Sequence, residues 1–182
     1  MAQANGKELQ ELKRQMKELL HGKATLADAL ELSLEDILAL SQVARQFADQ
    51  GQLDNAQVLL EGLVALDPQN PYLFTCLGCV YMQKKLNKAA LDSFLIALKY
   101  NPEDIVAHTY AGEIALENGD VDWAVKHFQK AVELDPQGKD PYANRARTSA
   151  LLVSTIVKEV QAKGPQVLQE IAKEAKRVQG QT

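Results

Sequence analysis

A 34-residue repeat is the feature of this sequence that most limits the folds it can adopt. At that interval an acidic or amide residue followed by proline recurs three times, as Asp67-Pro68, Asn101-Pro102 and Asp135-Pro136. When each proline is placed at position 32 of a unit, the units cover residues 37–70, 71–104 and 105–138. A fixed period of this length is typical of proteins that stack copies of one small structural unit. We therefore expect an array of three equivalent units.

Small and large side chains recur at fixed positions within the units. Position 8 is Ala44, Gly78 and Gly112; position 20 is Ala56, Ala90 and Ala124; position 24 is Leu60, Phe94 and Phe128. Small residues let two antiparallel helices approach closely, a large residue fills the space between turns, and proline separates one helix from the next. Ala and Leu are abundant and long β-branched runs are missing, which favours helix over sheet. The sequence thus predicts an all-α fold of three helix pairs.

This pattern resembles the tetratricopeptide repeat (TPR) across residues 37–138. The resemblance implies a TPR solenoid that binds other proteins. Because each unit of a solenoid leaves an apolar face uncovered, the array needs caps at its ends. We expect an N-terminal helical extension in residues 1–36 and a C-terminal region in residues 139–182, with a capping helix at 140–162 and an amphipathic helix at 166–179.

The turn inside the second unit departs from the other two. Gly51 and Gly119 stand in the turns of units one and three, where glycine adopts a positive φ at no steric cost. Unit two has Lys84-Lys85 at that place. We expect its turn to be tighter or differently shaped.

The segment before the first unit indicates which family of TPR proteins the chain resembles. The runs GKATLADAL (22–30) and LSLEDIL (32–38) lead into a unit that contains DQGQLDNA (49–56), and LVALDPQNPYLFTCLGCVYMQ (63–83) continues into the second unit. These segments resemble the class II chaperones of bacterial type III secretion systems. The resemblance implies a cytoplasmic virulence chaperone that keeps a secreted, pore-forming translocator soluble before export, often as a homodimer through its N-terminal helices. A TPR scaffold or adaptor of a bacterial multiprotein complex is the alternative.

In TPR arrays the first helix of each pair lines the concave groove. That resemblance predicts partner-binding residues on the three first helices: Leu38, Ser41, Arg45, Tyr72, Thr75, Cys79, Met82, Val106, Thr109, Tyr110, Glu113 and Leu116. The set is an apolar strip with hydroxyls, rimmed by acids and one arginine, which suits an extended peptide with apolar anchors. The clamp that grips the C-terminal carboxylate in heat-shock-binding TPRs is absent, because Ser41, Arg45 and Cys76 replace its lysine and asparagines.

Charge and composition exclude other classes of partner. Residues 24–138 contain 7 Lys/Arg against 17 Asp/Glu, which repels phosphate backbones, so we expect no nucleic-acid partner. No apolar stretch approaches the roughly 20 residues that cross a bilayer, and the N-terminus lacks the apolar core of a signal peptide. We therefore expect no membrane insertion and a cytoplasmic location.

The candidate chemical groups do not combine into a catalytic or metal site. Cys76 and Cys79 match C-x-x-C but lie in the middle of a predicted helix, where small groove-lining residues are the simpler interpretation. His21, His108 and His127 fall on different elements without carboxylates at metal-binding spacing. Trp123 is expected to pack between units. We predict no enzymatic activity, no cofactor and no metal.

Both terminal helices leave alternatives open. Residues 7–20 carry an apolar stripe at helical spacing, formed by Leu9, Leu12, Met16, Leu19 and Leu20. This stripe either covers the first unit or pairs with a second copy in a homodimer. The last helix either folds back on the array, caps it, or occupies the groove in place of a ligand.

Overall fold

A computed structural model describes residues 10, 11, 13, 14, 16–19, 21–168 and 173 of the 182-residue chain. These residues are helical or lie in turns and loops, and none is in a strand. The principal helices are α1 (Leu26–Ala29), α2 (Leu34–Asp49), α3 (Leu53–Leu66), α4 (Pro71–Gln83), α5 (Asn87–Tyr100), α6 (Ile105–Glu117), α7 (Val121–Leu134) and α8 (Pro141–Lys163). Residues 10, 11, 13, 14 and 16–19 are also helical. The all-α prediction is confirmed.

Reciprocal side-chain caps start the first two helices. Before α2, the Ser33 backbone N–H donates to Asp36 Oδ2 at 2.9 Å, and the Asp36 N–H donates to Ser33 Oγ at 3.1 Å. Thr25 and Asp28 form the same capping box before α1. Such boxes satisfy backbone donors that the first turn of a helix leaves unpaired. The flanking runs at residues 22–30 and 32–38 therefore have a local structural role of their own.

The three turns inside the helix pairs share one geometry. Gly51, Lys85 and Gly119 have φ values of 77°, 59° and 83°. In each turn, the residue that follows donates its backbone N–H to the carbonyl five residues earlier, at 2.8 to 2.9 Å. The expectation of a differently shaped second turn is therefore wrong: Lys85 adopts the left-handed conformation that glycine holds in the other two turns.

The chain divides into two compact units, which we describe separately. The first extends to Pro102 and contains α1–α5, with α2 packed on α3 and α4 packed on α5. Helix α4 also packs against α3 and α2, and the core contains Ile37, Leu60, Leu63, Leu73 and Leu77. At the α4–α5 crossing, a Cβ added to Gly78 would lie 2.6 Å from the Phe94 ring. This close approach explains why a small residue is paired with a large one.

A polar network joins α3 to the end of α4 in the first unit. The Lys84 ammonium donates to Asp54 Oδ1 at 2.6 Å and to Gln57 Oε1 at 2.5 Å. The Tyr81 hydroxyl donates to Glu61 Oε1 at 2.8 Å, and burial together with this carboxylate raises the pKa of Tyr81 to about 12. Lys84 therefore links the turn of the second repeat to α3.

The second unit begins at Glu103 and contains α6, α7 and α8. Helices α6 and α7 form a pair, and α8 packs against both. Its core contains Ala115, Ala124, Phe128, Ala131 and Ala146. A Cβ on Gly112 would lie 2.6 Å from the Phe128 ring, which repeats the crossing of the first unit. Helix α8 has 23 residues against 13 in α6, so it is longer than the first helix of a TPR pair.

The segment boundaries proposed from the repeat stay predictions, although the helix bounds can be compared with them. Helix α2 begins at Leu34, three residues before the predicted start of the first repeat. Helices α3 to α7 fall inside the predicted repeats 37–70, 71–104 and 105–138. In the N-terminal stripe, Leu9, Leu12 and Leu20 lie outside the described residues.

Candidate functional site

The first helices of the pairs carry the twelve groove residues predicted from the sequence. Seven lie in the first unit, on α2 and α4, and five lie on α6 in the second unit. Nine of the twelve are exposed or half-buried, so each keeps part of its surface accessible. We call these nine residues the groove-face residues: Leu38, Arg45, Tyr72, Cys79, Met82, Val106, Tyr110, Glu113 and Leu116.

The other three predicted residues share position 5 of the repeat and are buried. Ser41 is 1% exposed, Thr75 7% and Thr109 0%. Their hydroxyls donate to carbonyls of their own helices, at 2.7 Å for Ser41, 3.2 Å for Thr75 and 2.9 Å for Thr109. A hydroxyl that donates a hydrogen bond to a carbonyl of the preceding turn can pack in a tight interface without leaving an unpaired polar group. We therefore reassign these residues from ligand contacts to packing.

In the first unit, Tyr72 is an exposed aromatic side chain of the groove face. The residue is 40% exposed, while its hydroxyl interacts with Cys76 and Ser41, close to the charge of Arg45. Burial is the main cause that raises the pKa of Tyr72, and Cys76 adds to it. A ring anchored through its hydroxyl offers apolar area at low conformational cost. Leu38, which is 38% exposed on α2, adds a second apolar contact.

In the second unit, the groove face is a charged and aromatic cluster. Arg145 on α8 forms a bidentate ion pair with Glu113, with Nε–Oε1 at 2.5 Å and Nη2–Oε2 at 2.7 Å. Its guanidinium lies 5.3 Å from the centre of the Tyr110 ring. The rings of Tyr110 and Tyr142 are 5.8 Å apart at an angle of 57°. Burial raises the pKa of Glu113, and Arg145 opposes that rise.

Sequence reasoning missed Tyr142 and Arg145 as members of this face. It assigned α8 to capping, since no complete fourth repeat follows residue 138. The repeat, continued by 34 residues, does mark residues 140–162 as the start of a fourth first helix with Tyr142 at position 4, but this signal was used only to predict a cap. Leu116, which the sequence predicted as a groove residue, packs against the core of the second unit and is half-buried.

The structure brings together two histidines that the sequence placed on separate elements. His108 and His127 have their Nδ1 atoms 2.9 Å apart, and the Trp123 ring lies 4.0 Å from the ring of His127. Burial, followed by His108, lowers the pKa of His127 to about 4. Trp123 also packs against the core of the second unit. The cluster therefore joins α6 to α7.

Other chemistry has little support in the described part of the chain. Cys76 and Cys79 are half-buried inside α4 and are not joined in a disulfide. Within the ranges the structure describes, no three His, Cys, Asp or Glu side chains are grouped to hold a metal ion. None of the described helices has the length and apolar character that crossing a bilayer requires.

Comparisons with known proteins agree with this geometry. Residues 76–139 match the family model of the tetratricopeptide repeat. The chain is 29% identical over 104 residues to BBSome complex member BBS4 of Bos taurus, a match that covers 57% of this chain and 20% of that protein. The chain thus spans about a fifth of the length of this relative.

Solved structures of secretion proteins share the fold. A T3SS complex from Aeromonas hydrophila superimposes with a TM-score of 0.69 at 21% identity, covering 80% of this chain and 98% of that one. The structure of PcrH, a protein of Pseudomonas aeruginosa, in complex with the chaperone-binding region of PopD gives a TM-score of 0.62 at 25% identity, over 68% of this chain and 95% of its own. The TPR fold predicted from the sequence is confirmed.

Proposed function

We propose that this protein is a chaperone that holds an apolar segment of a secreted, translocator-like client before export. The observation that carries the proposal is the likeness to PcrH, whose structure with the chaperone-binding region of PopD covers 68% of this chain at 25% identity. The role is binding and not catalysis. The chaperone would act in the bacterial cytoplasm, where its client is made.

The composition of the groove face supports a peptide ligand. Leu38 and Tyr72 offer exposed apolar surface in the first unit, and Val106 and Tyr110 offer half-buried surface in the second. Burying about 100 Å² on each of a few ligand anchors gains on the order of 2.5 kcal/mol per anchor, before ordering costs. Three such anchors supply about 7.5 kcal/mol, which limits the affinity to roughly micromolar or weaker once ordering costs are subtracted. Affinity in this range permits release when the client is exported.

The chaperone would act by mass action. A complex of this affinity lowers the free concentration of an aggregation-prone chain without a chemical step. A homodimer through the N-terminal helix is part of the proposal, and its test is the mass of the purified protein in solution.

Two leucines of α2 provide a matched test. Leu38 is a groove-face residue and is 38% exposed. Leu40 is 37% exposed and lies on a different surface, the apolar cleft between α2 and α3. The chain is co-expressed with translocator-like proteins encoded beside it, and the soluble client is quantified. We expect Leu38→Asp to abolish client solubility and Leu40→Asp to preserve it. Equal solubility with both variants would overturn the groove assignment.

The second candidate is a scaffold or adaptor in a multiprotein complex. The match to BBS4, which is itself a complex member, favours it, because 29% identity exceeds that of the secretion structures compared above. A scaffold recovers a partner that is folded and soluble by itself. In that case Leu38→Asp leaves the complex intact, which distinguishes the two functions in the same experiment.

A further inference from the structure

Three sulfur-containing side chains follow one another along the open side of α4. Cys76, Cys79 and Met82 are spaced by three residues, and each is half-buried. Leu77 and Val80, which stand between them in the chain, are buried in the core of the first unit. The burial pattern therefore places the three sulfur-containing residues on one stripe of the helix that keeps part of its surface accessible.

Helix geometry favours an ion shared by the two cysteines over a disulfide between them. Side chains three residues apart in an α-helix have their Cβ atoms about 5–6 Å apart. A disulfide requires about 3.5–4.5 Å between the Cβ atoms, so it would distort α4. Cys76 and Cys79 are not joined in the structure. An ion bonded to both sulfurs at about 2.3 Å separates them by up to about 4.6 Å, which two side chains on adjacent turns can span.

The ligand types on this stripe select a soft cation. Helix α4 contains no Asp, Glu or His, so it offers no carboxylate to hard cations such as Mg²⁺ or Ca²⁺. Structural zinc sites use four ligands, and among the residues that the structure describes no three His, Cys, Asp or Glu side chains are grouped for a metal. Cysteine and methionine sulfur prefer Cu(I), which is stable with as few as two sulfur ligands.

We propose that Cys76, Cys79 and Met82 form a binding site for one Cu(I) ion. The two cysteines bind as thiolates, and each releases its proton to the solvent when the ion enters. Met82 supplies its thioether sulfur as the third ligand. The ion keeps its oxidation state throughout. The metal-free expectation drawn from the sequence considered the four ligands of a zinc site, which this set does not have to provide.

Tyr72 is a positioning residue for this site. It lies one turn before Cys76, and its hydroxyl interacts with the Cys76 sulfur. A hydroxyl that donates to a thiolate stabilises the charged form, which is the form that binds the metal. Donors behind a metal ligand typically contribute about 10–100-fold to metal affinity. We therefore expect Tyr72→Phe to weaken Cu(I) binding about tenfold and to leave the number of sulfur ligands unchanged.

Competition for Cu(I) tests the site in the full-length chain. The reduced protein is titrated, without oxygen, into the coloured complex of Cu(I) with bicinchoninate, and the loss of colour gives affinity and stoichiometry. We expect one Cu(I) per chain. Cys76→Ser and Cys79→Ser should each weaken binding by at least about a hundredfold, because a single thiolate loses the advantage of two linked ligands. Circular dichroism verifies that the variants remain helical.

The thioether has a matched control elsewhere in the chain. Met82→Leu should weaken Cu(I) binding about tenfold, since one of three linked ligands is lost. Met16→Leu removes a thioether that is 54% exposed and lies outside α4, so it should leave the affinity unchanged. Equal affinities of the Met82→Leu and Met16→Leu variants would overturn the three-sulfur site.

X-ray absorption at the copper edge gives a readout that a purely structural role of these residues would not produce. We expect three sulfur neighbours around copper in the wild-type protein and two in Met82→Leu. Nitrogen or oxygen neighbours in the wild-type protein would place the ion elsewhere. One Cu(I) per two chains would assign it to a contact between copies, and undiminished binding by either serine variant would show a single-thiol site. Each of these results overturns the proposal. No client is present in these measurements, so failure here is separate from failure of the chaperone proposal.

Discussion

At the scale of single residues, one backbone position stands out from its equivalents. Lys85 has φ 59° at the place where the two other turns have glycine. A residue with a Cβ loses roughly 1–2 kcal/mol in the left-handed region, whereas glycine adopts it freely. Lys85 is exposed, so little packing compensates for the strain.

Replacing this lysine should therefore stabilise the protein. We expect Lys85→Gly to raise the free energy of unfolding by about 0.5–1 kcal/mol, since relief of strain exceeds the entropy that glycine adds to the unfolded chain. Chemical denaturation monitored by circular dichroism measures the change. The control is Gly119→Ala, which places a Cβ on a residue with positive φ where no other atom is near. We expect it to lower the free energy of unfolding by about 1 kcal/mol. A destabilised Lys85→Gly would show that the lysine side chain contributes more than the turn geometry does.

The histidine pair should make stability depend on pH. The pKa of His127 falls to about 4 in the folded protein from the ordinary 6.5, mainly through burial. Between these values the unfolded chain binds more protons than the folded one, so stability decreases as the pH falls from 6.5 to 4. After allowance for partial exposure, we expect this residue to contribute on the order of 1–2 kcal/mol of that loss.

Comparison of variants isolates the contribution of His127. His127→Gln should flatten the pH dependence of the free energy of unfolding over this window, because glutamine does not titrate. Parallel curves for the wild-type protein and His127→Gln would show that the folded His127 titrates normally.

At the scale of elements, each helix pair is specified by a complementary small and large residue. Gly78 meets the Phe94 ring and Gly112 meets the Phe128 ring, whereas the first repeat (residues 37–70) has Ala44 and the smaller Leu60 at the same positions. The helix crossing therefore tolerates a methyl group only when the opposing ring is absent. This explains why the repeat pattern alone predicted the helix pairs.

A substitution in α4 tests this complementarity. We expect Gly78→Ala to destabilise the protein by about 1–3 kcal/mol, because the added Cβ would lie 2.6 Å from the Phe94 ring. Combining it with Phe94→Leu should recover part of the loss, which a double-mutant cycle by thermal or chemical denaturation measures. Gly62→Ala is the control: no atom lies within 4 Å of its Cβ, so helix propensity should stabilise it by about 0.5–1 kcal/mol. Strict additivity of the two α4–α5 changes would contradict direct contact.

At the scale of the whole molecule, the sequence predicts the fold better than the site. The period and the position-8 and position-24 residues set the helix pairs, because these contacts lie between neighbours in the chain and repeat three times. The site depends on how far each side chain projects from its helix, which a consensus position does not determine. Position 5 was therefore assigned to the groove although Ser41 and Thr109 are buried, and Arg145 was missed because it reaches Glu113 from a helix outside the consensus units.

The charge distribution leads to a prediction about the client, on the basis of the proposed function. Residues 24–138 carry 17 Asp/Glu against 7 Lys/Arg, so the repeats generate a negative potential that accelerates encounter with basic segments. An apolar client peptide flanked by lysines should associate faster than the same peptide flanked by glutamates. The difference should shrink severalfold between about 0.01 and 0.15 M salt, since the Debye length falls from about 30 to about 8 Å. Stopped-flow fluorescence with both peptides measures the association rates, while dissociation, which depends on the apolar anchors, should change little. Equal association rates at low salt would mean that the acidic residues do not act at the groove face, and that client selection depends on apolar fit alone.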